Sequence, residues 1–299
     1  MKSDLTSSFS LAPADQEYPR KLKQVFRHPP ILYWRGNRSL LESDNILSVV
    51  GSRHTTQVNQ SNLDFVLGPV AQVPLTITSG LALGMDAHAH LIALRNGLPT
   101  IAVLGSSVHD SEMYPRSNRG LAEKILASDG LLISPFPPKT PIMPHNFPIR
   151  NQIIAALPQA VLIASAAKKS GALITARLAL EYGNDVFVIP GNPSDPLYAG
   201  SNDLLQQGAC PMLSADDILE YFKLDTAPVH DDSDPTVARI VHELERENLS
   251  LNQLATRLQL PVHSVTVIMS KLELSGRVMV SSDGSVRLVT REKKFDKSR

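Results

Sequence analysis

From Ile46 onward, runs that are apolar at nearly every position alternate with helical stretches. "ILSVV" precedes "NLDFVLGPVAQV", and "LTIT" precedes "MDAHAHLIALRNG". Then come "TIAVLG", "GLLIS", "AVLIA" with "GALITARLALEYG", and "DVFVIPG". A strand that faces water on one side alternates apolar with polar residues. A strand apolar throughout is covered on both faces. Such strands separated by helices predict an α/β domain, a Rossmann-like doubly wound parallel sheet, over 45–222. Its ligand belongs at the carboxyl ends of the strands.

The flanks read differently. Residues 1–44 form a lead-in, with a short helical piece at Leu22 to Phe26, a stop at Pro29-Pro30 and an apolar Ile31 to Trp34. The polar, acidic stretch 223–235 reads as a linker. Over 236–290, three amphipathic helices precede a hairpin about Asp283-Gly284. Ser250 caps the second helix, and Pro261 and Gly276 bound the third. That is a small C-terminal winged-helix domain. Residues 291–299 form a basic tail.

Charge does not announce a partner, since Lys+Arg and Asp+Glu both count 29. Overall balance still allows a local positive pocket. The single cysteine, Cys210, excludes an internal disulfide and a cysteine-based zinc cluster, and fits a reducing cytoplasm. With no apolar signal core and no run long enough to span a bilayer, a cytoplasmic location without a membrane partner is expected.

The chemistry collects at the strand ends. "VVGSRH" turns at Gly51, and Ser52 and Arg53 follow; it suits a phosphate, or is an ordinary βα turn with a surface arginine. The G-x-G-x-x-G fingerprint and the P-loop are both absent, so no cofactor is expected. Ser79 and Gly80 end the next strand, and Gly84 opens the next helix. Asp86 and His90 share a helix face, which reads as an Asp–His contact or a packing histidine rather than a metal site. In "HNFPIRNQIIAAL", Phe147 beside Arg150 and Asn151 at a helix start could stack a base and hold its phosphate, or be a capped helix with a core Phe147. Lys168 lies in the loop before Ser170 and Gly171 at another helix start. A fourth loop carries Pro190-Gly191 and Gly200–Asn202. No nucleophile–base pair emerges, so no catalytic residue is assigned.

Taken in order, "VVGSR", "SGLALGMDAHAHLIAL", "TIAVLG", "MYPRSN", "NFPIRNQIIAAL", "SGALITARLALEYGNDVFVIPG" and "GSNDLLQQGA" closely resemble the DprA/Smf family of DNA-processing proteins, from about Tyr18 to Phe222. The resemblance implies a non-enzymatic, single-stranded DNA-binding protein that protects incoming DNA and helps load the RecA recombinase during natural transformation. It also implies a homodimer formed through the Rossmann-like domain. The family's DNA pocket maps onto Gly51, Ser52, Arg53, Ser79, Gly80, Phe147, Arg150, Asn151, Ser170 and Gly171, and Lys168 joins them from its loop. The chain departs from the family at several places. Leu83 and Gln152 stand where arginines are usual, Pro135 and Ala164 where glutamates are, and Ala156 where glycine is. The tyrosine-glycine usual after the first turn is missing from "HTTQVNQSN", and the N-terminal helical domain of many relatives is absent or truncated. Fewer cations predict weaker binding with a shallower salt dependence.

Two other readings stay open. Nucleoside-monophosphate-hydrolysing Rossmann-like proteins carry P-G-G-x-G-T-x-x-E, whereas the late loop here reads "PGNPSDPLYAG". A nucleotide-binding sensor could use the same pocket. In the winged helix, the third helix offers Lys271 and His263 as its cations. That is little for a major-groove reader and favours protein contact.

Overall fold

A computed structural model describes residues 9–224, 235–274, 278–280 and 285–288. The chain divides into two compact units, Met1–Thr226 and Ala227–Arg299.

Among the described residues of the first unit, nine strands form one sheet in the order β1-β2-β6-β5-β4-β3-β7-β8-β9. They are β1 (Phe9–Leu11), β2 (Leu32–Gly36), β3 (Ile46–Gly51), β4 (Thr76–Ser79), β5 (Thr100–Val103), β6 (Leu131–Ser134), β7 (Ala160–Ser165), β8 (Asp185–Val188) and β9 (Cys210–Pro211). From β6 to β9 every pairing is parallel. The apolar runs are the reason. In β3, Ile46 and Val50 enter the core on one face, and Leu47 and Val49 the core on the other. A period of two with both faces apolar demands helices above and below.

Helices α2 (Gln57–Leu67), α3 (Met85–Arg95), α4 (Arg119–Ala127) and α8 (Ala215–Phe222) supply one layer. Helices α1 (Arg20–Val25), α5 (Asn146–Ala156), α6 (Gly171–Glu181) and α7 (Ala199–Gln206) supply the other. The chain leaves β3 through α2 toward β4, and leaves β7 through α6 toward β8. The adjacent strands β3 and β7 therefore send their connections in opposite directions, which opens a crevice between them at their carboxyl ends.

The segment read as a lead-in is part of this unit. Strands β1 and β2 extend the sheet antiparallel beyond β6. Tyr18, Leu22, Leu32, Leu40 and Leu41 are buried in the same core as β3 and β7. A boundary at residue 44 does not separate two bodies. The βα alternation begins only at Ile46, and an antiparallel edge strand carries no such signature.

In the second unit, α9 (Pro235–Arg246), α10 (Leu251–Leu258) and α11 (Val262–Leu274) pack with a three-stranded sheet. That sheet is β10 (Leu249–Ser250), β11 (Val278–Val280) and β12 (Ser285–Leu288), in the order β10-β12-β11. Ile240, Leu254, Val265, Met269 and Val286 are its buried centre. Ser250 caps α10 in a reciprocal pair with Gln253, as its position suggested. The short β10 pairing was not anticipated from sequence. The turn at Asp283-Gly284, the Lys271 side chain and the tail 291–299 lie outside the described residues, as does nearly all of the proposed linker. No helix among the described residues is long and apolar enough to cross a membrane.

Leu22 has no exposed surface. Leu22→Ala should destabilise the first unit by about 2–5 kcal/mol, as an emptied core position does. Its urea midpoint measures this. A lead-in that merely flanked the sheet would leave the midpoint unchanged.

Candidate functional site

The turns after β3 and β7 and the first turns of α5 and α6 enclose a cleft of about 490 Å³ at the switch point. Gly51, Ser52, Arg53 and His54 line one side. Lys169, Ser170 and Gly171 line the other, and Arg150, Asn151 and Asp86 lie between. Two helices start here. Thr56 and Asn59 cap α2 reciprocally, and Ser170 Oγ accepts from Ala172 N at 3.2 Å to cap α6. Each start adds partial positive charge to the cleft.

The floor is a buried ionic knot. Arg150, 3 % exposed, donates through one guanidinium nitrogen to the carbonyls of Gly80 and, at 2.8 Å, Val103. These carbonyls lie at the ends of β4 and β5. The Asp86 carboxylate accepts from Gly80 N at 3.2 Å and from Gly51 N at 3.4 Å. A Cβ on Gly80 would fall 1.7 Å from the Arg150 guanidinium and 2.6 Å from Asp86 Oδ2, so glycine is required there by close approach. Burial pushes the Asp86 pKa up, against the pull of Arg150 and the N–H groups of Gly51, Gly80 and Ala82. Burial also lowers the Arg150 pKa to about 10, with Asp86 opposing and Arg53 assisting.

This arrangement divides the predicted residues by role. Gly51 N is occupied by Asp86, Ser52 N donates to Ser165 O at 2.9 Å, and Gly80 N is also held by Asp86. Ser79 is fully buried, and its hydroxyl donates to Val49 O. The protein's own Asp86 carboxylate and Ser165 carbonyl thus take the N–H groups of Gly51, Gly80 and Ser52. Arg150 serves the fold through Nη1 alone; its Nε is buried without a partner among the described residues, and the side chain lines the cleft.

The groups left facing the cleft are few. Arg53 is exposed, and among the described residues it makes no ion pair. Its guanidinium carbon lies 5.4 Å from the Phe147 ring centre. Lys169 lines the cleft, whereas Lys168 turns away to Asp203 at 3.8 Å. The two lysines are neighbours in sequence, and only the backbone direction of the turn separates them. Gly171 N has no acceptor among the described residues, and a Cβ there would meet nothing within 4 Å. Phe147 is half-buried beside Arg53 rather than in the cleft lining.

His90 and Asp86 do not meet. His90 is fully buried, with Nδ1 2.8 Å from Thr100 Oγ1, and its pKa is pushed down to about 3 by burial first and by Arg150 second. The Asp–His contact that exists is His88 Nε2 to Asp64 at 3.0 Å. No group of three metal-ligating residues forms among the described residues. Neither Leu83 nor Gln152 lines the cleft, and Ala164 is buried in the core under α3. Leu83 and Gln152 directly follow the lining residues Ala82 and Asn151. Asp86 is the site residue whose role sequence reasoning missed. Its one signal was an acidic residue two positions after a helix-opening glycine.

Arg150→Ala leaves Asp86 buried without its cation and should destabilise the unit by about 3–5 kcal/mol in urea unfolding. Arg53→Ala, at an exposed position, should stay within about 0.5 kcal/mol of the parent. His90 is neutral when folded and titrates near 6.5 when unfolded. Its contribution is present above pH 6.5 and is lost as pH falls toward 3, at up to about 1.4 kcal/mol per pH unit. Stability measured from pH 7 to pH 4 should fall less steeply in His90→Asn than in the parent.

Comparison with known proteins agrees with the motifs. The family model of DNA recombination-mediator protein A matches residues 10–223, and that of the DprA winged helix domain matches 212–284. DNA processing protein DprA of Streptococcus pneumoniae is 38% identical over 216 residues, covering 72% of this chain and 74% of that one. Protein Smf of Escherichia coli is 35% identical over 291 residues, covering 93% and 77%. The X-ray structure of the Streptococcus pneumoniae protein superposes with a TM-score of 0.66 at 37% identity, over 72% of this chain and 75% of that one. A structure of DNA processing protein A from Helicobacter pylori, described for its single-stranded DNA binding mode, gives 0.64 at 27% identity over 73% and 96%. With a family model spanning the whole sheet domain and the ordered motifs in place on it, this chain belongs to the DprA/Smf family of DNA-processing proteins.

Proposed function

We propose that this chain binds single-stranded DNA at the switch-point cleft, protects incoming strands and helps load RecA on them in natural transformation or recombination. The observation that carries the reading is Arg53. It is a permanently charged fork at the mouth of the cleft, with no carboxylate partner among the described residues. Lys169 stands across from it, and the free Gly171 N–H at the start of α6 completes a phosphate cradle. Phe147 beside Arg53 offers a ring where a phosphate-bound nucleotide would place its base. Such a ring is useful only if that base is unpaired, which favours a single strand over a duplex.

The reading is of a binding protein rather than an enzyme. Ser52 Oγ accepts from His54 N and Ser170 Oγ caps α6, so both hydroxyls serve the backbone. Asp86, the cleft's carboxylate, accepts from the N–H groups of Gly51 and Gly80 and lies in the field of Arg150. Family membership supports the assignment, and so does the strand-binding relative from Helicobacter pylori. We assign binding to 45–222, a separate winged-helix role to 236–290, and the linker to 223–235. A second copy joined through the sheet unit would lengthen the track for a strand.

Anisotropy titration of a labelled oligonucleotide at two salt concentrations tests this, with duplex and a nucleoside monophosphate as competitors. The strand should bind and duplex should compete poorly. Arg53→Ala and Lys169→Ala should each weaken binding and each flatten the salt slope by about 0.7. An earlier onset of RecA's DNA-dependent ATPase on protein-coated strand would support loading. Absence of strand binding, or a double variant that binds like the parent, overturns the reading; cleavage of the mononucleotide would replace it with an enzyme.

A further inference from the structure

One exposed aromatic beside the cleft is not used by the phosphate cradle. Tyr114 is 44% exposed, and its ring centre lies 5.7 Å from that of Phe147, with the planes at 54°. Phe147 is itself hemmed in. A Cβ on Gly105 would come 2.7 Å from the Phe147 ring, and the Arg53 guanidinium sits over the same ring at 5.4 Å. Arg53, which lines the cleft, Phe147 and Tyr114 therefore form a row of successive contacts, with Tyr114 outside the lining. Its outer member presents the freest aromatic surface.

The row is held in place from beneath. Tyr114 N donates to Ser106 Oγ at 3.1 Å, and the Ser106 carbonyl accepts from Ser134 Oγ at 2.7 Å at the end of β6. Met113, one residue earlier, is buried in the core under α4. Asn118, four residues later, donates to the carbonyls of Leu81 and Ala82 at 3.0 and 3.2 Å, and Ala82 lines the cleft. An exposed ring on a backbone anchored to the cleft wall is pre-ordered, so a ligand that covers it loses little entropy. Elsewhere on the sheet, exposed apolar side chains such as Phe65 and Leu180 lie on α2 and α6, outside the cleft lining.

The geometry points to Tyr114 as a base-stacking residue, receiving the base of the nucleotide next to the one whose phosphate Arg53 holds. Phe147, the ring beside the held phosphate, also backs Tyr114, which adds a second platform for the next base. Stacking on a ring tolerates any base, so this subsite adds affinity for unpaired strand without sequence preference. The inference rests on the single-stranded DNA reading of the cleft.

The test uses the full chain and two probes of equal length, an oligothymidylate and a sugar-phosphate strand of abasic sites. Tyr114→Ala should weaken oligothymidylate binding about tenfold, within the range for loss of one stacked base. It should leave the salt slope at the parent value, and Tyr114→Phe should recover the affinity. On the abasic strand, parent and Tyr114→Ala should bind alike. Parent-like oligothymidylate binding by Tyr114→Ala overturns the stacking role and spares the cleft reading. An equal loss on both probes also overturns it, since the defect would then lie in the backbone. A parent protein that binds neither probe overturns both readings.

Discussion

Arg150 is the residue on which the site's geometry depends. It rises from α5 and ties together the ends of β4 and β5 through the carbonyls of Gly80 and Val103. Asp86 on α3 answers it and takes the N–H groups of Gly80 and Gly51. Helices from the two opposite layers are thus joined through the ends of three adjacent strands. A buried charge is tolerated only when it is paired and hydrogen-bonded. The cluster is satisfied from within except at Arg150 Nε, and it takes the N–H groups of Gly51 and Gly80.

That accounting decides what remains for function. With the turns of β3 and β4 internally satisfied, positive charge reaches the cleft from side chains and from the starts of α2 and α6. Arg53 and Lys169 reach it from opposite sides, while Arg150 lends field from below without being exposed. A chain of zero net charge can in this way keep a local positive site. The same burial sets the titration of the neighbourhood, keeping His90 neutral with Arg150 close by.

Much of this was legible before any coordinates. The runs "ILSVV", "LTIT" and "AVLIA" became the three strands around the site. Gly84 opens α3 as its position suggested, at a φ of 82° where a Cβ would fall 2.3 Å from the Ser52 carbonyl oxygen and 2.7 Å from that of Arg53. The ordered motifs named the family. The strands β1 and β2 were less legible, because short antiparallel edge strands lack the two-faced apolar pattern that marks the parallel ones. Lys168 was the lysine expected at the site, yet Lys169 lines the cleft, because the two share composition and differ only in direction.

Fold class, family and the location of the site follow from the one-dimensional pattern, because burial on both faces of a strand is recorded residue by residue. Which residues meet the ligand is a different kind of fact. Gly51 and Gly80 look like binding residues in sequence, and their N–H groups are held by Asp86 in space. Arg53 stood out in sequence and keeps an exposed side chain, whereas Lys169 and Tyr114 did not stand out and are exposed as well. The distinction rests on hydrogen bonds between segments tens of residues apart, such as Arg150 to Gly80 and Asp86 to Gly51. Only the closed tertiary structure decides which donors are already taken.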